Sequence, residues 1–213
     1  MFSPPLLIAG LCGSLAVAFA ATPVMRSIAL RRSILSLPGP RRIHVQAQPY
    51  LGGCALYLGF LAGLVFLLYA SGGFAPEMRQ QLTGMIAAGT LIFVLGLLDD
   101  IKEVKPSLKL LGQIAAGLIV FYSGLRIDVL SNPLTGAEIP ILPWLSLVMT
   151  LLWFIGLMNA MNLIDGLDGL AAGMTVIVSI TMIIINALLN NYLTIFVLTV
   201  LAGSCLGFLR YNF

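Results

Sequence analysis

Amide and carboxylate side chains interrupt an otherwise apolar stretch of this 213-residue chain between residues 159 and 169. They are Asn159, Asn162, Asp165 and Asp168, each three residues after the last. An Asp at bilayer depth costs roughly 2.5–3.5 kcal/mol on insertion scales, so acidic groups beside apolar runs usually serve a function. The pattern therefore predicts a binding or catalytic site rather than a plain connector.

A regular helix does not gather these four side chains on one face. Each step of three residues turns by about 300°, which points Asn159 and Asp168 to opposite sides. Gly166 and Gly169 supply backbone freedom. We therefore expect a loop or a helix start that folds the polar groups around a ligand.

A second acidic pair, Asp99 and Asp100, precedes the cations Lys102, Lys105 and Lys109. Adjacent carboxylates repel each other, so a site that keeps both ionised supplies a lysine or a metal ion. Mg²⁺ suits this role because it binds carboxylate and phosphate oxygens. The alternative is an exposed helix end with lysine anchors at the membrane surface. The pair alone does not separate these interpretations.

A third polar segment, Arg31–Gly53, is basic, contains three prolines and holds the only histidine, His44. Its arginines are typical of anchors that hold a cytoplasmic loop at the membrane. A lone loop histidine is more often solvated than catalytic. His44 is kept as a candidate because the topology below places it on the same face as both acidic pairs.

Composition determines the class of protein that must position these groups. Apolar residues make up 60% of the chain, charged residues 9%, and the mean hydropathy is +1.05, which excludes an ordinary soluble domain. A membrane helix needs about 20 apolar residues, and seven windows approach that length, with the third and fourth short. The predicted spans are Pro4–Met25, Leu51–Ala70, Leu82–Leu98, Leu110–Leu125, Ile139–Met158, Leu170–Leu189 and Tyr192–Leu209. We predict an all-α polytopic transmembrane bundle that forms one membrane domain over residues 1–213.

Basic residues orient this bundle because they favour short cytoplasmic loops. With the N-terminus outside, two of them, Arg79 and Arg126, lie outside, and nine lie in the cytoplasm. The nine are Arg26, Arg31, Arg32, Arg41, Arg42, Lys102, Lys105, Lys109 and Arg210. Both acidic pairs then lie at the cytoplasmic face. Ser14–Ala21 resembles a signal-peptide cleavage region, but no basic residue precedes it, which favours an uncleaved span.

Two further features indicate structure rather than chemistry. Glycine pairs four residues apart, Gly59–Gly63 and Gly203–Gly207, allow helix backbones to approach closely. Packing within one bundle and a homodimer both explain them. The predicted outer loops, Ser71–Pro76 and Asp128–Glu138, contain turn residues and are assigned no chemistry.

Three motifs resemble one enzyme family. Leu95–Asp100, Asn159–Leu170 and Arg41–Gly53 together resemble the polyprenyl-phosphate N-acetylhexosamine-1-phosphate transferases. The run Asp99–Gln113 is similar to the bacterial branch that starts teichoic-acid linkage or O-antigen-type polymers. The resemblance covers roughly Arg31 to Phe213, and the asparagine and aspartate loop is its most specific part.

The resemblance implies a Mg²⁺-dependent reaction, with Mn²⁺ as a substitute. Undecaprenyl phosphate attacks the β-phosphorus of a UDP-N-acetylhexosamine, which gives a lipid diphosphosugar and UMP. This is the first membrane step of cell-envelope polysaccharide synthesis. It implies a multi-pass protein of the bacterial inner membrane with a cytoplasmic active face, in contact with the lipid bilayer and with no nucleic acid partner.

The resemblance also implies roles for eight polar residues. The implied site residues are the catalytic carboxylates Asp99, Asp100 and Asp165, the substrate-binding residues Lys109, Asp168, His44 and Asn159, and the metal ligand Asn162. A phosphate monoester with a second pKa near 6 is mostly dianionic at pH 7. A catalytic base that deprotonates the lipid phosphate would therefore contribute little to the rate. We therefore expect Asp99 and Asp100 chiefly to position Lys109 and the metal.

Two departures from the family pattern stand out. Tyr50 occupies the place where relatives usually carry a basic residue. Leu209–Phe213 resembles the start of the fourth inner-face segment, which in the family continues into a Gly-Asp motif and later a His-rich loop. The chain thus resembles the N-terminal two-thirds of the transferase domain, and we expect these 213 residues alone to be inactive.

Two other function classes remain as alternatives. Asp165–Ala171 is similar to the motif of the CDP-alcohol phosphatidyltransferases, but Ala172 stands where those enzymes have Arg, and no acid follows in Ile177–Leu189. A membrane transporter or scaffold would place its polar groups at the midplane of the bilayer, whereas the predicted topology places these carboxylates at one membrane face. Mg²⁺-dependent release of UMP distinguishes the sugar-phosphate transferase from the phosphatidyltransferase and from the transporter or scaffold.

Overall fold

A computed structural model describes residues 4–32, 35–36, 48–49, 51–70, 75–102, 104–132 and 134–212. Within these residues the chain forms seven α-helices and two short antiparallel strand pairs. The helices are α1 Pro4–Arg31, α2 Gly52–Ala70, α3 Pro76–Ile101, α4 Pro106–Tyr122, α5 Pro143–Ile164, α6 Leu170–Leu188 and α7 Tyr192–Leu209. The strands are β1 Leu35–Ser36 with β2 Gln48–Pro49, and β3 Val129–Ser131 with β4 Glu138–Pro140.

The helices match the predicted spans in number and order. Six are long and apolar enough to cross a membrane, and α4, with 17 residues, is shorter. The protein is therefore a multi-pass, all-α membrane protein, as predicted. The expectation of a short fourth helix is confirmed. The expectation of a short third helix is wrong, because α3 begins at Pro76 and includes the polar turn before Leu82.

Local sequence explains where several helices begin. Pro76, Pro106 and Pro143 each occupy the first helical position, where a proline loses no hydrogen bond and its fixed φ suits the helix. At the start of α7 the side chain of Asn191 accepts a hydrogen bond from the backbone N–H of Thr194 at 3.3 Å. These signals set the starts of α3, α4, α5 and α7.

The chain divides into two compact units. The first comprises Met1–Phe74 and Leu163–Phe213, with α1, α2, α6 and α7. Its glycine pairs pack against α1: a Cβ on Gly59 would lie 2.7 Å from the Cβ of Ala18, and one on Gly203 would overlap Ser14 and the backbone of Leu11. The interpretation of these glycines as packing residues within one bundle is thus confirmed, and a homodimer stays a prediction.

The second unit, Ala75–Asn162, contains α3, α4 and most of α5. One of its hydrophobic clusters contains Ala88, Ala116 and Val120, with Phe154 of α5 packed against them. A Cβ on Gly117 would lie 2.7 Å from a methyl group of Leu151. Small residues on α4 therefore let α3 and α5 approach it closely.

The β3–β4 hairpin corrects the prediction of a plain loop over Asp128–Glu138. Leu130 pairs with Ile139, and Ser131 pairs with Glu138. The side chain of Asn132 accepts a hydrogen bond from the N–H of Leu134 at 2.9 Å, which closes the turn. The turn residues were recognised, but strands of three residues are too short to show a periodic pattern.

Candidate active site

An ion pair joins the end of α3 to the first turn of α4. Lys109 Nζ donates to Asp99 Oδ2 at 2.6 Å, and the backbone N–H of Val104 donates to Asp99 Oδ1 at 3.0 Å. Pro106 cannot continue α3 and instead begins α4, so the chain reverses and returns Lys109 to the level of Asp99. Asp99 therefore uses both of its carboxylate oxygens within the protein.

The two charged side chains remain partly accessible to solvent. The side chains of Lys109 and Asp99 are 40% and 32% exposed. An ammonium group has three N–H donors, and the pair with Asp99 uses one of them. Lys109 can therefore donate to an anion while it keeps its carboxylate partner. Asp100 is exposed beside Asp99 in the last turn of α3.

A second polar contact joins α4 to α5 in the same unit. Asn159 Nδ2 donates to Gln113 Oε1 at 3.1 Å and to the carbonyl oxygen of Ile155 at 2.8 Å. Gln113 lies one helical turn after Lys109, on the same face of α4. Asp99, Lys109, Gln113 and Asn159 thus form a polar group, here called the α3–α4–α5 polar group.

Sequence reasoning assigned Gln113 no role. It appeared only as the last residue of a motif, because a single amide on an apolar helix does not show which residue the fold places opposite it. Its spacing of four residues from Lys109 was the available clue, since residues at i and i+4 are neighbours on a helix surface. Asn159, by contrast, was expected in the site from the outset.

The helix break expected near the two aspartates is present. Asn162 lies in the last turn of α5, which ends at Ile164, and Asp165 and Asp168 lie in the following turn. Gly169 has a φ of +72° immediately before α6 begins, a left-handed conformation that favours glycine. The four polar residues therefore divide into two on a helix and two on a turn.

The turn aspartates influence each other electrostatically. Partial desolvation, followed by the negative charge of Asp168, raises the pKa of the Asp165 carboxyl. Both side chains lie at the surface of the unit that contains α6. Two close carboxylates of this kind favour a bound cation.

The predicted site residues have different structural outcomes. Asp99, Lys109 and Asn159 join the α3–α4–α5 polar group, whereas Asp165 and Asp168 belong to the other unit. His44 lies outside the described residues. In the part of the chain that the structure describes, no group of three or more His, Cys, Asp or Glu residues could hold a metal ion.

Comparison with known proteins identifies similar sequences. The sequence profile described as glycosyl transferase family 4 matches residues 82–213. A Bacillus subtilis protein described as a probable undecaprenyl-phosphate N-acetylglucosaminyl 1-phosphate transferase is 34% identical over 193 residues, which cover 90% of this chain and 51% of the relative. A decaprenyl-phosphate N-acetylglucosaminephosphotransferase of Mycolicibacterium smegmatis is 33% identical, with 92% and 51% covered. A phospho-N-acetylmuramoyl-pentapeptide-transferase of Caldicellulosiruptor bescii is 32% identical, with 82% and 55% covered.

The matches extend over both units of the chain. The profile match includes the α3–α4–α5 polar group and the turn with Asp165 and Asp168. The chain spans about half the length of the curated relatives it matches.

Proposed function

The chain belongs to glycosyl transferase family 4, and from this premise we propose that the protein transfers an N-acetylhexosamine 1-phosphate from a UDP-sugar to undecaprenyl phosphate, with release of UMP. The observation that carries the proposal is the partly exposed side chain of Lys109, whose ammonium is paired with Asp99 within the matched segment. The relatives from Bacillus and Mycolicibacterium are described as transferases of N-acetylglucosamine phosphate to polyprenyl phosphates, which supports the same substrate classes.

The chemistry requires neutralisation of charge more than removal of a proton. A lipid phosphate with a second pKa near 6 is mostly dianionic at pH 7, and one pK unit of proton transfer is worth about 1.4 kcal/mol. The approach of two anionic phosphates is the larger barrier, and a preorganised cation lowers it. In this proposal Lys109 binds the diphosphate, and Asp99 positions Lys109.

The turn after α5 fits a divalent cation by its chemistry. Asp165 and Asp168 offer carboxylate oxygens, which Mg²⁺ prefers and Mn²⁺ accepts. The two aspartates repel each other, and a bound cation would relieve that repulsion. We assign the carboxylates Asp165 and Asp168 to a Mg²⁺ or Mn²⁺ site whose ion would neutralise charge on a phosphate group, and Asn162 stays a predicted metal ligand. Asp168 also contacts the nucleotide in this proposal.

The proposal includes a location. The excess of arginine and lysine in one set of loops favours a cytoplasmic active face with the N-terminus outside. Together with the bacterial relatives, this favours the bacterial inner membrane. The substrates fit this location, because a UDP-sugar is polar while undecaprenyl phosphate stays in the bilayer.

The direct test measures phosphate transfer in membranes that contain the protein expressed from the complete coding sequence of its gene. UDP-N-acetylglucosamine with ³²P at the β-phosphate is mixed with undecaprenyl phosphate and Mg²⁺. We expect label in the lipid fraction, equimolar UMP, and loss of both with EDTA. Lys109→Gln is expected to lower the rate by about 100-fold or more, the scale of removing one charge-stabilising group.

Lys105→Gln is the matched control because Lys105 is an exposed lysine at the start of α4, close to Lys109 in sequence. It should keep nearly full activity. Equal losses in both variants would contradict the role of Lys109. Release of CMP from a CDP-alcohol, without UMP, would favour a phosphatidyltransferase. Movement of a solute across the membrane without formation of labelled lipid would favour a transporter.

A further inference from the structure

Gln113 of α4 and Asn159 of α5, here called the amide pair, hold each other in one orientation. Asn159 Nδ2 donates to the carbonyl oxygen of Ile155 at 2.8 Å and to Gln113 Oε1 at 3.1 Å. A backbone carbonyl only accepts hydrogen bonds, so the amino end of Asn159 must face Ile155. The oxygen end of Gln113 must then face Asn159. Neither amide can therefore turn over without the loss of a hydrogen bond.

Each member of the amide pair keeps one end free for a ligand. Both N–H bonds of Asn159 are used, so it presents its oxygen, and Gln113 presents an amino group with two donors. Among the residues that the structure describes, neither Asn159 Oδ1 nor Gln113 Nε2 has a hydrogen-bond partner. Asn159 is exposed, and Gln113 Nε2 retains accessible surface. One hydrogen bond thus joins a residue with a free acceptor to a residue with free donors.

This combination determines which chemical group the amide pair fits. A phosphate without protons has no donor for Asn159 Oδ1. A metal ion prefers a shell of oxygen ligands, and the N–H donors of Gln113 and Lys109 disfavour it here. A hydroxyl group has one donor and two acceptor lone pairs, so it can donate to Asn159 and accept from Gln113 at the same time. The amide pair is therefore complementary to a neutral hydroxyl group.

Lys109 connects this amide pair to the proposed reaction. Gln113 follows Lys109 by four residues, so their Cβ atoms are about 5–6 Å apart on one face of α4. In a UDP-sugar the hexosamine and the ribose both adjoin the diphosphate, whereas the ribose separates the uracil from it. With the diphosphate at Lys109, the groups nearest the amide pair are therefore sugar hydroxyls. This step rests on the function proposed above.

We propose that Gln113 and Asn159 together bind one sugar hydroxyl group of the UDP-sugar and contribute to its recognition. Gln113 donates to the hydroxyl oxygen, and Asn159 accepts from the hydroxyl hydrogen. Each amide also positions the other through their shared hydrogen bond. Gln113 thus becomes a substrate-binding residue, and Asn159 contacts the sugar part of the substrate rather than its phosphates. The hydroxyl belongs to the hexosamine or to the ribose, and the test distinguishes these two sources.

The test changes the protein and the ligand together. Titration calorimetry measures the dissociation constant of UDP-N-acetylglucosamine, and of analogues that each lack one hexosamine or one ribose hydroxyl, with the protein expressed from its complete coding sequence. Gln113→Met and Asn159→Leu each remove one amide with little change in volume. Gln80→Met is the matched control, because Gln80 Nε2 also links two helices of this unit, by a bond to the carbonyl oxygen of Tyr122 at the opposite end of α4. Circular dichroism establishes that each variant is folded.

We expect Gln113→Met and Asn159→Leu to weaken binding of the complete UDP-sugar by about 5- to 10-fold, the effect of one neutral hydrogen bond. Gln80→Met should leave binding unchanged. One analogue should bind both variants as tightly as it binds the unchanged protein, because the hydroxyl that the amide pair contacts is already absent from it. That analogue identifies the hexosamine or the ribose as the source.

Three results would overturn the proposal. The first is an equal loss for every analogue, which indicates a structural link between α4 and α5 or a bound water. The second is that the two variants are insensitive to different analogues, because the amide pair then shares no hydroxyl. The third is unchanged binding of the complete UDP-sugar in both variants.

Phosphate transfer by the same preparations separates this inference from the proposed function. Transfer by the unchanged protein, together with an equal loss for every analogue, contradicts the role of the amide pair alone. The expected binding pattern without any transfer contradicts the reaction alone. If the unchanged protein does not bind the UDP-sugar, both are wrong.

Discussion

Both carboxylate oxygens of Asp99 accept hydrogen bonds, one from Lys109 and one from the backbone of Val104. A general base must lie within hydrogen-bond reach of the proton that it removes, and two of the roughly four acceptor sites of this carboxylate are already used. Asp99 is instead placed to hold the ammonium of Lys109 in one position. At the scale of single residues, its geometry favours positioning over proton transfer.

Asp99→Asn tests this distinction. The amide keeps an acceptor oxygen but loses the negative charge, and hydrogen bonds to charged groups contribute about 1.5–3 kcal/mol. We expect the proposed transferase activity to fall by about 10- to 100-fold, with an unchanged shape of the pH–rate profile between pH 6 and 9. A loss of activity that recovers tenfold per pH unit would instead identify Asp99 as the base. Kinetics over this pH range provide the measurement.

At the scale of an element, Asp128 attaches the base of the β3–β4 hairpin to α5, because it accepts hydrogen bonds from Arg126 at 2.7 Å and from Ser146 of α5 at 3.0 Å. The hydrogen bond from Arg126, assisted by Ser146, lowers the pKa of Asp128 from its usual value of about 3.9. A carboxyl with a lowered pKa in the folded state stabilises that state above its unfolded pKa. This stabilisation is lost as the pH falls through the lower folded value.

We therefore expect the attachment of the hairpin to weaken below about pH 4. The measurement is the apparent melting temperature in detergent between pH 6 and pH 3. Asp128→Asn should show a smaller fall than the unchanged protein, because it has already lost the titrating group. Glu138→Gln, an exposed acid on the same hairpin, should fall as the unchanged protein does. Identical pH curves for Asp128→Asn and the unchanged protein would contradict the prediction.

Helix packing in the first unit gives a second prediction at this scale. Gly203→Ala would place a Cβ against Ser14 and the backbone of Leu11, which cannot yield as a flexible side chain does. We expect the change to lower the free energy of unfolding by about 1–3 kcal/mol. Gly13→Ala, in α1 of the same unit, meets no atom within 4 Å and should be neutral or stabilising by about 0.5–1 kcal/mol. Thermal unfolding in detergent compares them, and equal destabilisation would contradict the packing described.

At the scale of the whole molecule, hydropathy predicted the helices well because each membrane crossing requires a long apolar run. It misplaced the start of α3, where Glu77 and Arg79 precede the apolar part but still belong to the helix. It also missed the hairpin, whose strands are too short for a pattern. Individual helices are therefore more predictable here than their connections.

The candidate site was predictable to a similar extent. Charged and amide residues between apolar runs identified Asp99, Lys109 and Asn159, all of which make polar contacts in one unit. Gln113 was not predicted, because its importance depends on which residue the fold places opposite it. Spacing along a chain determines which side chains share a helix face, but it does not determine their partners on the next helix.

The link between Lys109 and Asp99 has a consequence for repeated turnover. In the proposed reaction, a diphosphate arrives at this ammonium and a product leaves it in every cycle. Because this ammonium is paired with the Asp99 carboxylate, departure of the product leaves an ion pair and not a bare cation. The vacated protein therefore returns to a neutral resting pair, ready for the next substrate without help from an outside counter-ion.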